Sequence, residues 1–164
     1  MFELVCSDKS NYSGQFRNGK KHSVGTFIDP KGSRYQGQWN DNKKQGFGIY
    51  KYPDGGIYQG NWKDDQKSGE GIFTWKDGTI YNGAWRNGEP HGQGRLILPI
   101  SKVILLGEYK DGVIYNGEGI HIYEDGSRYI GEWKNGKADG EGTLLDASNK
   151  ILQQGNWKAG KFIQ

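Results

Sequence analysis

The sequence predicts an all-β fold, an elongated single-layer array of antiparallel β-hairpins running through about six and a half repeats. Three observations predict it. The motif Tyr-x-Gly-x-Trp returns at a nearly constant spacing, the mark of a stacked repeat array. Glycine is abundant at 28 residues while proline is only 4, and no Gly-X-Y register exists, which excludes collagen and proline-rich linkers. Aromatic residues reach 13% although apolar residues total only 33% and mean hydropathy is -0.89, so the core must be built from rings and the chain is not of the disordered class.

Taken in order, residues 1–11 form an N-terminal cap and repeats start at Tyr12, Tyr35, Tyr58, Tyr81, Leu105, Tyr129 and Gln153. The step is 23 residues and lengthens to 24 in the second half. The motif is complete at residues 35–39, 58–62, 81–85 and 129–133, and looser at Tyr12, Gly14 and Phe16, at Leu105, Gly107 and Tyr109, and at Gln153, Gly155 and Trp157. In residues 58–62 a period of two puts Tyr58, Gly60 and Trp62 on one face and Gln59 and Asn61 on the other, which predicts a strand. The second half of each repeat carries Gly-x-Gly, from Gly46 and Gly48 to Gly140 and Gly142, with Ser23 and Gly25 in the first repeat, and supplies the returning strand. Asn-Gly at residues 18–19, 87–88 and 135–136 turns the hairpins, and Asp-Gly at 54–55, 77–78 and 125–126 joins the repeats, because both dipeptides tolerate positive φ. A glycine between two rings leaves a hollow that a ring from a neighbouring strand covers. With strands ~4.8 Å apart the whole stack spans roughly 60 Å, and residues 1–164 read as a single domain. The terminal stretches "FELV" and "KFIQ" are the candidate covers for its two open edges.

Tyr-x-Gly-x-Trp, then x-x-Gly, then Gly-x-Gly every 23 residues resembles the MORN (membrane occupation and recognition nexus) repeat, over about residues 12–157. The resemblance implies a twisted array of hairpins with a concave aromatic face. It also implies a role in holding partner proteins, building cytoskeletal or membrane-associated scaffolds, or binding phosphoinositides. The chain departs from that pattern in places. The family's histidine before Gly-x-Gly survives only as His91, with Gln45, Ser68, Asn116 and Asp139 elsewhere and His22 one place out of line, so no histidine ladder is expected. The fifth repeat begins with Leu105 and holds an extra residue before Gly117, which predicts irregularity over residues 96–117.

The partner-binding candidates are the first-strand rings Tyr35, Trp39, Tyr58, Trp62, Tyr81, Trp85, Tyr129 and Trp133 and the second-strand rings Tyr50, Tyr52, Phe73 and Trp75. The tryptophans are weighed first as core, with tyrosine hydroxyls reaching water and the second-strand rings exposed. "LILPISKVILL", residues 96–106, reads as strand, turn and strand, and is too short and too interrupted to span a bilayer. If exposed, it is a second contact patch. Arg17, Lys20 and Lys21 cluster at the first hairpin turn and are the candidate contacts for an anionic lipid surface.

Net charge is only +3 and residues 105–128 carry five acids against two bases, which argues against nucleic acid. The three histidines and Cys6 lie in separate repeats, so neither a catalytic pairing nor a metal or cofactor site is expected. One cysteine, and a start without a charged stretch leading into an apolar run, point to a cytoplasmic protein, peripheral at a membrane or cytoskeletal structure. The reading is therefore a non-catalytic scaffold that binds a partner helix or peptide on an aromatic concave face, with self-association as a homodimer through open strand edges. The alternatives are a phosphoinositide or anionic-membrane binder and, third, a carbohydrate binder that stacks sugars on its rings.

Overall fold

The computed structural model describes residues 2–5, 8–99 and 103–164, and every regular element among them is a β-strand. They divide into two compact units, Met1–Glu89 and Pro90–Gln164. Cys6 and residues 100–102 of the apolar run lie outside the described residues.

The first unit holds β1 (Phe2–Val5), β2 (Asn11–Arg17), β3 (Lys20–Ile28) and β4 (Arg34–Asn40). It continues with β5 (Lys43–Lys51), β6 (Ile57–Lys63), β7 (Gln66–Thr74) and β8 (Ile80–Arg86). Each strand pairs antiparallel with the next in chain order, and β1 lies along β2 as the cap. Burial in β6 follows the expected period of two, with Tyr58, Gly60 and Trp62 buried and their neighbours exposed.

Register explains the glycines. Gly25, Gly37, Gly48, Gly60, Gly71 and Gly83 are Cα partners in an unbroken row from β3 to β8. Tyr58 folds back across this row: a Cβ on Gly60 would stand 2.6 Å from its hydroxyl, and one on Gly71 2.6 Å from its Cε2. The covering ring thus comes from the glycine's own strand, two residues earlier, and crosses onto the next, where the sequence predicts a ring from a neighbouring strand. The reason is the hydroxyl, which in this pose donates to the carbonyl three residues on: Tyr35 to Gln38 and Tyr58 to Asn61 at 2.9 Å, Tyr81 to Ala84 at 3.0 Å. A satisfied hydroxyl costs little to bury, and these tyrosines are fully enclosed rather than wetted at the tip.

The tryptophans lock between them. Trp62 stands edge-on to Tyr35 at 5.4 Å and Tyr58 at 5.2 Å, and Trp85 to Tyr58 and Tyr81 at 5.2 Å, the arrangement that ring quadrupoles favour. Each indole N–H donates to a glycine carbonyl of the row, Trp39 to Gly25 at 3.2 Å, Trp62 to Gly48 at 3.3 Å and Trp85 to Gly71 at 3.1 Å. The core is a zigzag of rings laid on bare backbone.

Turns follow the chemistry of their residues. Asn18 and Gly19 both have positive φ at a hairpin tip, and so do Asp64 and Asp65, a pair the sequence reading passes over. Asp29 and Asp54 tie the inter-repeat turns by accepting backbone N–H groups, of Ser33 at 3.0 Å and of Gly56 at 2.9 Å, which makes them turn formers.

The second unit holds β9 (Glu89–Leu98), which begins at the boundary, then β10 (Val103–Lys110), β11 (Val113–Ile122) and β12 (Arg128–Lys134). It closes with β13 (Lys137–Leu145), β14 (Ile151–Lys158) and β15 (Lys161–Phe162), again paired antiparallel in chain order. Tyr129 and Trp133 repeat the ladder at 5.2 Å. The fifth repeat does not: Leu105 is buried, and the glycines Gly107 and Gly119 are covered by Ile114 of the returning strand. The register differs with it, for Gly107 pairs with Gly117, the first glycine of its Gly-x-Gly, where Gly37, Gly60 and Gly131 pair with the second. In the flanks of the apolar run, Ile104 and Leu106 are exposed.

One slot is corrected. His22 occupies the same position as Gln45, His91, Asn116 and Asp139, before the residue of positive φ, which is Ser23 in the first repeat. Each of these side chains reaches the tip of the following hairpin. Gln45 accepts from Asp64 N at 3.2 Å, Asn116 from Asn135 N at 2.9 Å and Asp139 from Ala159 N at 3.1 Å, while His22 and His91 approach Asp41 and Asp111 at 3.8 and 3.6 Å. The slot latches one repeat to the next.

Candidate interaction surface

The first-strand rings Tyr35, Trp39, Tyr58, Trp62, Tyr81, Trp85, Tyr129 and Trp133 are all buried in the ladder. Of the twelve candidate rings, the face toward solvent is left to the second-strand set. Tyr50 is the Cα partner of Tyr35 and Tyr58, and Phe73 that of Tyr58 and Tyr81, so both stand on the ladder's face of the sheet. Tyr52 and Trp75 follow two residues later, where their N–H groups bond to Gly56 O at 2.8 Å and Thr79 O at 2.9 Å and hold the backbone. The rings form a continuous row, Tyr50 to Tyr52 at 4.5 Å, Tyr52 to Phe73 at 5.5 Å and Phe73 to Trp75 at 4.6 Å. Trp75 is 40% exposed and the other three are half-buried.

Three lysines missed as a set by the sequence reading belong to the same face. Lys21, Lys44 and Lys67 recur at the 23-residue step and lay their ammonium groups over the rings. Lys44 Nζ is 4.8 Å from Trp62 and 5.1 Å from Tyr50, and Lys67 Nζ is 4.2 Å from Trp85 and 5.0 Å from Phe73. Burial pushes the Lys67 ammonium down to about 8, partly countered by Glu89. Burial lowers Lys44 too, with Asp65 at 3.9 Å opposing. The Tyr52 hydroxyl is pushed up to about 12, by burial first and then by Tyr50 and Asp54.

A nitrogen-detected titration is expected to show Lys67 losing its proton near pH 8. The unfolded chain keeps that proton until the ordinary lysine range, so it binds more protons between about pH 8 and 10.5 and the Lys67 contribution to stability rises with pH through that window. Stability that is flat there, after correction for other groups, would contradict this.

The candidate lipid cations are engaged within the protein. Arg17 and Lys20 share the Asp41 carboxylate at 3.7 and 3.6 Å, and Lys21 stands over Phe27 at 4.2 Å and Trp39 at 4.9 Å. Among the described residues no group of His, Cys, Asp and Glu could hold a metal ion, and no helix is long and apolar enough to cross a membrane.

A family model of the MORN repeat matches residues 12–34, 35–57, 58–80, 81–101, 107–128 and 129–150. No curated protein matches the chain. Among solved structures the chain is similar to the G-box domain of the microcephaly protein CPAP, at 13% identity and a TM-score of 0.44 over 93% of this chain and 97% of that one. It is also similar to a mutant TCP10 domain of Danio rerio CPAP, at 13% and 0.43 over 96% and 100%. A third is the SAS-4 TCP domain of Drosophila melanogaster in complex with a proline-rich motif of Ana2, at 16% and 0.41 over 92% and 86%.

Proposed function

The chain belongs to the MORN repeat family, and from that premise we propose that it is a non-catalytic interaction module holding a helix or extended peptide of a partner protein. The contact runs along Tyr50, Tyr52, Phe73 and Trp75. The observation that supports this reading is the unbroken row of four partly exposed rings seated on a rigid, fully packed ladder. Rings of this kind bring large contact area at small entropic cost, because few torsions have to be ordered. Lys44 and Lys67 at the edge of the row favour a partner with carboxylates beside its apolar residues.

The partner is to be captured from the native source by crosslinking and its affinity then measured on purified proteins. Trp75→Ala is expected to weaken binding by roughly 30-fold, the loss typical of an aromatic hot spot, while the melting temperature moves by only a few degrees. Tyr52→Ala, in contact with two rings, is expected to lower both. Binding unchanged by Trp75→Ala and by Phe73→Ala would remove this face from the interaction.

A further inference from the structure

The second unit keeps part of the aromatic cage that Lys44 and Lys67 fill in the first, with Leu105 in place of the first-strand tyrosine and, among the described residues, no lysine over its rings. In the first unit Tyr50 lies 4.5 Å from Tyr52 and 5.9 Å from Trp62, and Phe73 lies 4.6 Å from Trp75 and 6.2 Å from Trp85. In the second unit His121 lies 4.7 Å from Tyr123 and 5.9 Å from Trp133, the same spacings within a few tenths of an ångström, although its rings meet edge-on at 79° and 66° where those of the first unit are tilted by 41° to 56°. Lys44 stands opposite Trp39 in its hairpin, and Ile114 stands opposite Tyr109 in the corresponding one. Ile114 turns inward over Gly107 and Gly119, doing the work of the missing tyrosine, so its place beside the rings is vacated. Among the described residues no ammonium stands over His121, Tyr123 or Trp133. What remains is a cleft of about 230 Å³ floored by these rings and walled by Val113, Ile114 and Ala138.

The geometry points to a binding site in this cleft for the lysine side chain of a partner protein. His121 and Trp133 stand where Tyr50 and Trp62, and Phe73 and Trp85, give two of the three faces that hold an ammonium in two neighbouring repeats of the same chain, and the aliphatic wall suits the four-carbon stem that a lysine brings. Asp125, whose charge adds to burial in raising the Tyr123 hydroxyl, stands outside the cleft lining and accepts from Ser127 N at 2.9 Å and Ser127 Oγ at 2.6 Å. Lys137 lines the cleft and its charge opposes the ligand. This site is separate from the ring row of the first unit and stands or falls independently of it.

The indole N–H of Trp133, which donates to Gly119 O at 3.2 Å, is the reporter. Its resonance is followed in the unaltered protein during titration with Nα-acetyl-lysine N-methylamide, with the neutral norleucine analogue and with phosphocholine. The lysine probe is expected to shift Trp133 saturably and to bind about fivefold more tightly than the norleucine probe, while Trp62 and Trp85, already covered by Lys44 and Lys67, stay still. Lys137→Gln should tighten binding, and Lys67→Ala should make Trp85 respond as Trp133 does. No shift at Trp133, equal binding of the lysine and norleucine probes, or a response to phosphocholine alone would overturn the assignment.

Discussion

Gly60→Val is expected to abolish folding of the first unit, read as loss of the cooperative thermal transition and of the buried-tryptophan emission. A Cβ at this position would stand 2.5 Å from Gly71 Cα, 2.6 Å from the Tyr58 hydroxyl and 2.7 Å from Glu70 O. Two of the three are backbone atoms of the paired strand and the third is a hydroxyl already bonded to Asn61 O, so nothing nearby can yield cheaply. Even Gly60→Ala should cost about 3 kcal/mol, and the branched side chain more. Gly19→Ala makes the control: its φ is +73° but no atom lies within 4 Å, so only the conformational penalty of about 1 kcal/mol applies. If the two alanine variants lost equal stability, the glycines of the row would be serving backbone freedom and not the close approach of the tyrosine.

The second large effect is at the ring itself. Tyr58→Ala is expected to cost about 4 kcal/mol in urea unfolding, because it removes the cover from Gly60 and Gly71 and the edge contacts that hold both Trp62 and Trp85. Tyr58→Phe keeps the ring but leaves the Asn61 carbonyl without the hydroxyl donor it has at 2.9 Å, and should cost about 1 kcal/mol. That ratio separates packing from hydrogen bonding. Equal losses for the two variants would mean that the hydroxyl, and not the ring, fastens the ladder. Tyr58 is the Cα partner of Tyr50 and Phe73, so Tyr58→Ala is expected to disturb the exposed row as well, whereas Tyr58→Phe keeps the ring beneath it and should change partner binding only in step with the loss of folded protein.

Much of this architecture was legible in the chain before any coordinates. A motif of Tyr58, Gly60 and Trp62 returning in register declares one face of a strand, and Asn-Gly at 18–19 declares a tight turn, because both follow from local chemistry. The latch slot was harder to see, since His22, Gln45, Asn116 and Asp139 share no residue type. They share a distance to the next hairpin tip, which only the register reveals. Asp64 and Asp65 were missed as a hairpin tip for a similar reason, since a pair without glycine carries a weak turn signal.

Which rings are core and which are surface was beyond the sequence. Tyr58 and Tyr50 are the same residue type on the same face and are Cα partners, yet one is sealed and the other half-open, because Tyr58 lies down over glycine while Tyr50 stands above Trp62. The repeat by itself determined strands, turns and the alternation of bare backbone with rings, all of which are set by neighbours along the chain. Only the tertiary structure decided that Lys44 and Lys67 cap ring cages and that Ile114 vacates one. Those outcomes depend on side chains brought together from different strands, where the space left by one residue sets the place of another.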